Sequence, residues 1–360
     1  MTHAAVATPS RLDIEDGNDE TIVLTVQHPA HVHFFRHVDE TLRRHGYDVS
    51  VFARGEPIVR CLLERYDVEY EALLDPPEVR GRQALMQARY EWRLLRRARQ
   101  LDPDVIAAIG GVAAAHVGSV VGARSVVFTD TEHATLSNRL AFPFADTICT
   151  PSCYRDDIGR KQVEYDGYHE LSYLHPSRFT PDPAVLDELG LAPDDRYVVL
   201  RAVDWGAAHD AGESGFDDLA DVVTRLEATG VEVLISAEGP LPPGLAGNRL
   251  EVAPHRMHDL LYYADCFVGE GATMAIESAV LGTPAVYVNS LETGVTDELA
   301  EDYGLLFLCH GEQRQRTAID HATEILEGDD EGDWERRRID LLTDKEDTLP
   351  VVLERLGVTS

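Results

Sequence analysis

The sequence predicts an α/β protein built from two doubly wound (Rossmann-like) domains that face each other across a cleft. Strand-like and helix-like segments alternate from Thr21 onwards, which is typical of parallel strands joined by crossover helices. A proline-rich passage containing Pro176, Pro181 and Pro183 interrupts the alternation, and the pattern restarts near Tyr197. Two similar halves therefore predict two domains with ligands bound between them.

Each predicted element rests on a local pattern. Apolar or β-branched runs that end in small or polar residues predict strands, at Thr21–Val26, Tyr47–Ala53, Val105–Ile109, Ser125–Thr129, Thr147–Thr150, Tyr197–Arg201, Val231–Ser236, Cys266–Val268, Ala285–Val288 and Leu305–Leu308. Helical spacing of apolar residues predicts the clearest helices, at His33–His45, Arg82–Leu101 and Phe216–Thr229. In such sheets ligands bind beyond the carboxyl ends of the strands, so the loops there are the candidate sites.

The domain boundaries follow from composition and from this alternation. Residues 1–20 are polar and Asp-rich, which predicts a disordered acidic tail. We expect an N-terminal Rossmann-like domain over 21–175, a linker over 176–195, a C-terminal Rossmann-like domain over 196–330 and a helical segment over 331–360.

The charge is strongly acidic. Sixty-four acidic residues face 32 basic ones, for a net charge of −32, and the lysines are Lys161 and Lys345 alone. Acid excess with arginine in place of lysine is typical of halophilic proteins, because molar salt shortens the Debye length to about 3 Å and removes most self-repulsion. We therefore expect the acidity to reflect the solvent. We expect no nucleic-acid partner, since that binding needs a basic face.

Compartment and redox state follow from what the sequence does not contain. No run approaches the roughly 20 apolar residues needed to cross a bilayer, and the N-terminus carries no signal-peptide pattern, so we expect a cytoplasmic protein without a transmembrane segment. Five cysteines form no Cys-x-x-Cys pair and are expected to be reduced, mostly buried thiols: Cys61, Cys149, Cys153, Cys266 and Cys309.

The most informative segment runs from Val268 to Pro284. It predicts a strand, a glycine turn and a helix whose first backbone N–H groups, in Gly271, Ala272, Thr273 and Met274, could hold a diphosphate without a cation. Glu277 is the one acidic residue of that helix, and a buried carboxylate needs a hydrogen-bond partner, such as the hydroxyls of a ribose. The alternative is an ordinary strand-turn-helix in which small residues allow close packing.

A histidine-rich loop follows the first predicted strand. Three roles are open for His28, His31 and His33. They could bind a metal, they could cap the next helix or lie on its surface, or they could bind substrate and transfer protons. Because His31 and His33 are two residues apart, a helix would place them on different faces, which disfavours a metal site.

Asp130 and Glu132 follow another buried strand. They could supply a base and its orienting partner, or cap the helix beginning near Ala134. Asn138 and Arg139, one to two turns later, could face the same cleft.

Further candidates lie in two more loops. Trp205 follows a strand of the second half and could stack on a base or sugar, or plug the loop; His209 lies just beyond it. Gly167–Leu171 ends the first half and should face the cleft, with Tyr168 and His169 as secondary candidates.

Four phrases, His28–Phe35, Phe128–Ala134, Gly167–Leu171 and Gly271–Met274, together resemble the two-domain glycosyltransferase-B superfamily, and more closely a largely archaeal family of uncharacterised, predicted glycosyltransferases. The resemblance covers about residues 21–310. It implies an acceptor-side N-terminal domain and a C-terminal domain that binds a nucleotide sugar.

Two relatives in that superfamily suggest roles. The lipid-linked N-acetylglucosaminyltransferase of peptidoglycan synthesis has a similar Gly-Ala turn followed by a ribose-binding Glu, matched here by Gly271, Ala272 and Glu277. It also implies that the loop from His28 to His33 contributes to acceptor binding and catalysis. Non-hydrolysing nucleotide-sugar 2-epimerases have a Glu just beyond a strand, an Asn-Arg pair after it and a His in the second half. Glu132, the pair Asn138 and Arg139, and His209 are similar to these residues.

The differences between this sequence and those 2-epimerases favour glycosyl transfer over epimerisation. Those epimerases carry an Asp where this chain has Gly110–Val112, and a Gly-Thr-Arg-Pro-Glu loop where it has the histidine loop. Epimerisation by elimination needs acid and base groups on both faces of the sugar, so one lost carboxylate weakens that reading.

We therefore predict a metal-independent glycosyltransferase-like enzyme without a cofactor, using a nucleoside-diphosphate sugar and an unknown acceptor. The resemblance allows a lipid-linked acceptor and peripheral membrane contact. The alternatives are a 2-epimerase and a non-catalytic nucleotide-sugar-binding protein. The predicted catalytic residues are His31, His33, Asp130, Glu132 and His209, and the predicted binding residues are His28, Asn138, Arg139, Trp205, Gly271, Ala272, Thr273, Met274 and Glu277.

Overall fold

The computed structural model describes residues 20–74, 83–203, 216–237, 239–328 and 331–358. Its N-terminal half is built on a sheet of seven parallel strands, β1 (Thr21–Val26), β2 (Asp48–Arg54), β3 (Tyr70–Leu74), β4 (Val105–Ile109), β5 (Arg124–Phe128), β6 (Thr147–Pro151) and β7 (Gln162–Tyr165). The strand order is β3-β2-β1-β4-β5-β6-β7, so the direction of winding reverses between β1 and β4.

Helices cover both faces of this sheet, as parallel strands buried on both sides require. They are α1 (Pro29–Arg44), α2 (Pro57–Arg65), α3 (Gln83–Leu101), α4 (Val112–Val121) and α5 (Thr135–Ala141), followed by the short α6 (Leu171–Leu174) and α7 (Ala184–Leu189). One core cluster packs α1 and α2 against the sheet, and a second packs α3 and α4 against its opposite face.

The C-terminal half repeats the arrangement with five parallel strands, β8 (Tyr197–Ala202), β9 (Glu232–Ala237), β10 (Cys266–Gly269), β11 (Ala285–Val288) and β12 (Leu306–Cys309), in the order β12-β11-β10-β8-β9. Its helices are α8 (Leu219–Glu227), α9 (Met257–Tyr263), α10 (Ala272–Leu281), α11 (Gly294–Glu301), α12 (Arg314–Glu327), α13 (Glu331–Asp344) and α14 (Thr348–Leu356). Two single-turn helices cover Ala246–Asn248 and Pro254–Arg256. The winding reverses between β8 and β10.

The predicted fold class, two doubly wound α/β domains, is confirmed. Each predicted strand ends within one residue of an observed one. The predicted start of α1 was wrong, since the helix begins at Pro29 rather than His33. Proline suits the first helical position, and the His28 ring caps the helix by accepting a hydrogen bond from the Ala30 N–H. The short strands β3 and β7 and the helix α2 were not predicted.

The C-terminal segment returns to the N-terminal half. Helix α14 buries Leu349, Val352 and Leu356 in the core cluster of β1 and α1. Just before it, the Lys345 ammonium donates to Asp166 (2.8 Å) and to Glu298 of α11 (2.7 Å). The chain end therefore ties the two halves together. Within the described ranges, no helix is long and apolar enough to cross a membrane.

The two sheets point their carboxyl ends toward each other. The Glu132 carboxylate, beyond β5, accepts hydrogen bonds at 3.0 Å from the backbone N–H groups of Arg155 and of Gly294, the first residue of α11. The Arg155 guanidinium also donates to Asp297 of α11. A Cβ on Gly294 would lie 1.8 Å from the Cys153 carbonyl oxygen, so the halves approach too closely for any other residue there.

We expect Gly294→Ala to lower the free energy of unfolding by about 1–3 kcal/mol, because the added methyl group must displace backbone of the opposite half. Urea unfolding measures this difference. Gly247→Ala is the matched control, since a Cβ there meets nothing within 4 Å. Equal stability of the two variants would contradict this account of the interface.

Candidate active site

The turn before α10 has the geometry of an anion site. A Cβ on Gly269 would lie 2.6 Å from the Phe267 ring and 2.7 Å from the Arg201 Cβ, so only glycine fits where β10 ends. Gly271, which has no side chain, is the N-cap of α10; among the described residues no side chain caps the helix, and its first turn contains no acidic residue. The partial positive charge of its N-terminus is therefore not neutralised by its own side chains. This end lies where the winding of the sheet reverses.

Glu270 is a buried carboxylate that the sequence reasoning did not single out. It accepts hydrogen bonds at 2.6 Å from the backbone N–H groups of Val203 and Phe216. It therefore holds both ends of the loop after β8 beside the start of α10. Trp205 and His209 lie in that loop, outside the described residues, so their roles stay predictions. The signal that could have found Glu270 is its position directly after a buried strand.

Glu277 lies inside α10 and is 4% exposed. Its Oε1 accepts a hydrogen bond from the Tyr173 hydroxyl of α6 (2.8 Å) and lies 2.9 Å from Nε2 of His258 in α9. The sequence analysis expected hydrogen-bond partners for this carboxylate and suggested the hydroxyls of a ribose. In the structure two partners are side chains of the protein itself. One carboxylate oxygen is thus already engaged at the junction of the two halves.

His33 belongs to the same cluster. Its ring is stacked 5.4 Å from Tyr173, meets His258 edge-on at 4.5 Å, and has the Tyr66 hydroxyl 3.3 Å from its Nδ1. Burial, with the neighbouring His258 and Arg36, lowers the pKa of His33 well below its ordinary value. His33 is therefore a neutral ring packed among aromatic side chains.

The other two histidines of this loop act on the backbone around the start of α1. His28 is the N-cap, and Nδ1 of His31 accepts a hydrogen bond from the Gln27 N–H at 3.4 Å. Burial and the neighbouring His28 and His169 rings lower the pKa of His31 to about 3, so this ring is neutral at physiological pH.

A histidine–carboxylate pair lies beyond β5 and β7. Nδ1 of His169 is 3.1 Å from Asp130 Oδ2, and the Thr131 hydroxyl donates to Asp130 Oδ1 at 2.8 Å. Burial alone would raise the pKa of Asp130, but His169 and Thr131 outweigh it and hold the pKa below its ordinary value. Nε2 of His169 is buried with no hydrogen-bond partner among the described residues. An oriented imidazole with one free nitrogen is the arrangement of a general base.

Glu170 lies beside this pair and is 4% exposed, and its Oε2 is buried without a partner in the described structure. Burial and the charges of Asp130 and Glu277 raise the pKa of Glu170 well above its ordinary value. Glu170 is therefore a protonated acid next to an ionised carboxylate. Neighbouring groups with opposite pKa shifts are typical of acid–base sites.

Glu132 and Asn138 have structural contacts of their own. Glu132 binds across the interface as described above, and the Asn138 amide donates to the Thr131 carbonyl at 3.1 Å. Asn138 Oδ1 and Glu132 Oε2 are buried without partners among the described residues. Both residues, with Arg139 and Lys161, line a cavity of about 830 Å³ between α5 and residues 156–161.

The structure thus divides the predicted catalytic residues among three surroundings. His31 lies near Asp130 and His169, His33 lies with Glu277 and His258, and Glu132 binds Gly294 of the opposite half. His169, a secondary candidate from the sequence, is the best-placed candidate for a general base. Among the described residues, no group of three or more His, Cys, Asp or Glu side chains is arranged to hold a metal ion.

The chain belongs to the family described as protein of unknown function (DUF354), which matches residues 21–311. The chain is also similar to the uncharacterized protein MJ0665 of Methanocaldococcus jannaschii. It is 22% identical over 268 residues, which cover 71% of this chain and 78% of the relative.

Solved structures share the fold. A putative UDP-N-acetylglucosamine 2-epimerase from Listeria monocytogenes superposes with a TM-score of 0.64 at 11% identity and 92% coverage of both chains. The Neisseria meningitidis UDP-GlcNAc 2-epimerase bound to UDP-GlcNAc gives 0.63 at 11% identity, covering 93% of this chain and 99% of its own. The spinosyn forosaminyltransferase SpnP gives 0.63 at 15% identity, covering 95% and 100%. At such identities the likeness shows the fold alone.

The lowered pKa of His31 makes stability depend on pH. Below about pH 6.5 the unfolded chain protonates this histidine while the folded ring stays neutral down to about pH 3. The free energy of unfolding therefore falls on acidification across this window, by up to about 1.4 kcal/mol per pH unit from this group. We expect His31→Asn to flatten that slope in urea unfolding measured from pH 7 to about pH 4. His310→Asn, at an exposed histidine, is the control, and an unchanged slope in His31→Asn would refute the assignment.

Proposed function

We propose that this chain is a glycosyltransferase-like enzyme that uses a nucleoside-diphosphate sugar in the cleft between its two domains, without a metal ion. The observation that carries the proposal is the pair of Asp130 and His169 at the carboxyl edge of the N-terminal sheet, in which the buried Nε2 of His169 has no hydrogen-bond partner among the described residues. The N-terminus of α10, whose N-cap is Gly271, lies at the carboxyl edge of the other sheet. Solved structures of the same fold include nucleotide-sugar epimerases and glycosyltransferases, which supports the proposal.

On the donor side, the backbone N–H groups of Gly271, Ala272, Thr273 and Met274 would bind the diphosphate. Helix N-termini bind such anions through their free N–H groups and their dipole. Glu277 would accept hydrogen bonds from the ribose through its Oε2, because Oε1 is already bound by Tyr173 and His258.

The proposed reaction moves one glycosyl group and one proton. An acceptor hydroxyl oxygen bonds to the anomeric carbon of the sugar as the bond from that carbon to the diphosphate oxygen breaks. Nε2 of His169 takes the hydroxyl proton, and ionised Asp130 stabilises the imidazolium through Nδ1. The leaving diphosphate gains negative charge, which the N-terminus of α10 stabilises in place of a cation.

We expect His169→Ala to lower turnover by about 10²–10⁴-fold, the usual contribution of a general base, and to leave donor binding unchanged. Donor binding is measured by thermal shift with a panel of nucleotide sugars in molar KCl, since a ligand raises apparent stability by mass action. Turnover is measured as release of nucleoside diphosphate.

The control is His310→Ala, because His310 also pairs with a carboxylate, Glu292 at 2.8 Å, but is 60% exposed. Full turnover in His169→Ala would disprove the assignment of the base. Failure of the wild-type protein to bind any nucleotide sugar would disprove the proposed function itself.

One observation favours 2-epimerisation as a second candidate. Glu170 offers a protonated acid beside the base, a second acid–base group at a different position from the carboxylate that the sequence lacks at Gly110–Val112. Epimerisation exchanges the sugar C2 proton with solvent and needs no acceptor. We expect no deuterium at C2 after incubation in D₂O with a bound nucleotide sugar alone. Incorporation that is lost in Glu170→Gln would select the epimerase over the transferase.

A further inference from the structure

One face of the N-terminal domain collects most of the exposed apolar side chains. Of the eight large hydrophobic residues that are exposed in the described structure, six lie on α3 or α4, or between the start of α5 and Phe144. These six are Leu85, Trp92, Val120, Leu136, Leu140 and Phe144, and the other two, Ile58 and Ile339, lie elsewhere. Trp92 is 60% exposed and Leu136 is 72% exposed. Single exposed hydrophobic residues are normal, but a concentration on one face marks an interaction surface.

The three helices form one continuous surface around His116 of α4. Its Nε2 lies 2.9 Å from the Leu140 carbonyl oxygen of α5, and its ring meets Phe144 edge-on at 4.8 Å. On the other side, Nδ1 of His116 lies 3.2 Å from the Glu91 carboxylate of α3. We call this surface, formed by α3, α4 and α5 up to Phe144, the apolar–arginine face.

The same face is basic in a chain of net charge −32. Helices α3, α4 and α5 contain six arginines, Arg89, Arg93, Arg96, Arg97, Arg99 and Arg139, against the single acid Glu91. Arg93 and Arg97 bind the nearby β3 through the Leu73 carbonyl and the Glu71 carboxylate.

The remaining arginines of α3 form a stripe with the tryptophan. Arg89, Trp92, Arg96 and Arg99 are all exposed, and their spacing of three and four residues places them on one side of the helix, opposite buried Tyr90. A cationic and aromatic stripe thus runs beside the apolar residues of α4 and α5.

We propose that the apolar–arginine face docks the protein on an anionic lipid surface. Exposed Trp, Leu and Phe side chains insert at the boundary of headgroups and acyl chains, while arginines pair with lipid phosphates. A symmetric dimer through this face would oppose one arginine stripe to another, which repels. Nucleic acid would match the arginines but would leave the six apolar side chains without a role.

The position of the face suits a lipid-borne acceptor. Helix α5 carries both this face and Asn138 and Arg139 of the 830 Å³ cavity, which Glu132 also lines. This link to the acceptor rests on the proposed function. The docking on lipid does not rest on the proposed function, because it needs no nucleotide sugar.

The test is flotation of the full chain with vesicles of phosphatidylglycerol or phosphatidylcholine, without nucleotide. At about 0.15 M KCl, where the Debye length is about 8 Å, we expect binding to the anionic vesicles and little to the neutral ones. At about 1 M KCl, where it is about 3 Å, we expect this preference to shrink while apolar insertion keeps part of the binding.

Two sets of surface substitutions separate the contribution of the arginines to vesicle binding from that of the apolar side chains. Arg89→Gln, Arg96→Gln and Arg99→Gln together should weaken anionic binding at low salt by about fivefold per arginine. The exposed arginines Arg44, Arg316 and Arg336, changed to Gln, are the control. Trp92→Ser, Leu136→Ser and Phe144→Ser together should remove the binding that persists at high salt, whereas Ile58→Ser with Ile339→Ser should not.

Equal binding to both kinds of vesicle at low salt, or no binding to either, would overturn the proposal, as would equal effects of the face and control variants. A dimer of the wild-type chain that the apolar triple variant dissociates would assign the face to a second copy instead. His169→Ala should float like the wild type, so loss of turnover and loss of docking are distinguishable.

Discussion

The approach of two backbone segments at Gly294 is the constraint on which the site depends. Glu132 beyond β5 binds the N–H of Gly294 where α11 begins, and the Cys153 carbonyl lies against the same glycine. A carboxylate at a helix N-terminus is stabilised by the free N–H groups and by the helix dipole. The contact therefore fixes the carboxyl edges of the two sheets opposite each other. Every candidate group lies in a loop or helix that starts from one of these edges.

Between these edges lie the buried carboxylates of Glu170 and Glu277 and the half-buried carboxylate of Asp130, and burial, with the charges of Asp130 and Glu277, raises the pKa of Glu170. Each burial cost is met differently. Glu277 receives hydrogen bonds from Tyr173 and His258, Asp130 is paired with His169, and Glu170 keeps its proton. An unpaired buried charge is costly, and the negative charges of Asp130 and Glu277 favour the protonated form of Glu170. Removing the charge of Asp130 would ease ionisation of Glu170, so the acid and the base of this site form one electrostatic unit.

The sequence predicted the fold class and the strand ends because burial imposes a period on the chain. It also indicated that the carboxylate of Glu277, in the helix after β10, would need hydrogen-bond partners. It did not predict the partners of Asp130 and Glu277. His169 is separated from Asp130 by 39 residues, and the contact depends on how β7 pairs beside β6. Asp130 and Glu132 are two residues apart in an irregular turn, where no period tells which one turns toward His169 and which toward the other half.

The histidine loop shows why residue type alone misleads about charge. Histidine titrates near neutrality in water, so His31 and His33 were reasonable proton carriers. Both lie in the first turns of α1, where the helix dipole disfavours a positive charge, and His33 is buried while His31 is half-buried. Burial and neighbouring rings lower both pKa values, which leaves neutral imidazoles. Such rings donate and accept hydrogen bonds without adding charge. In the proposed reaction the positive charge of proton transfer would therefore develop on His169 beside Asp130, and not on this loop.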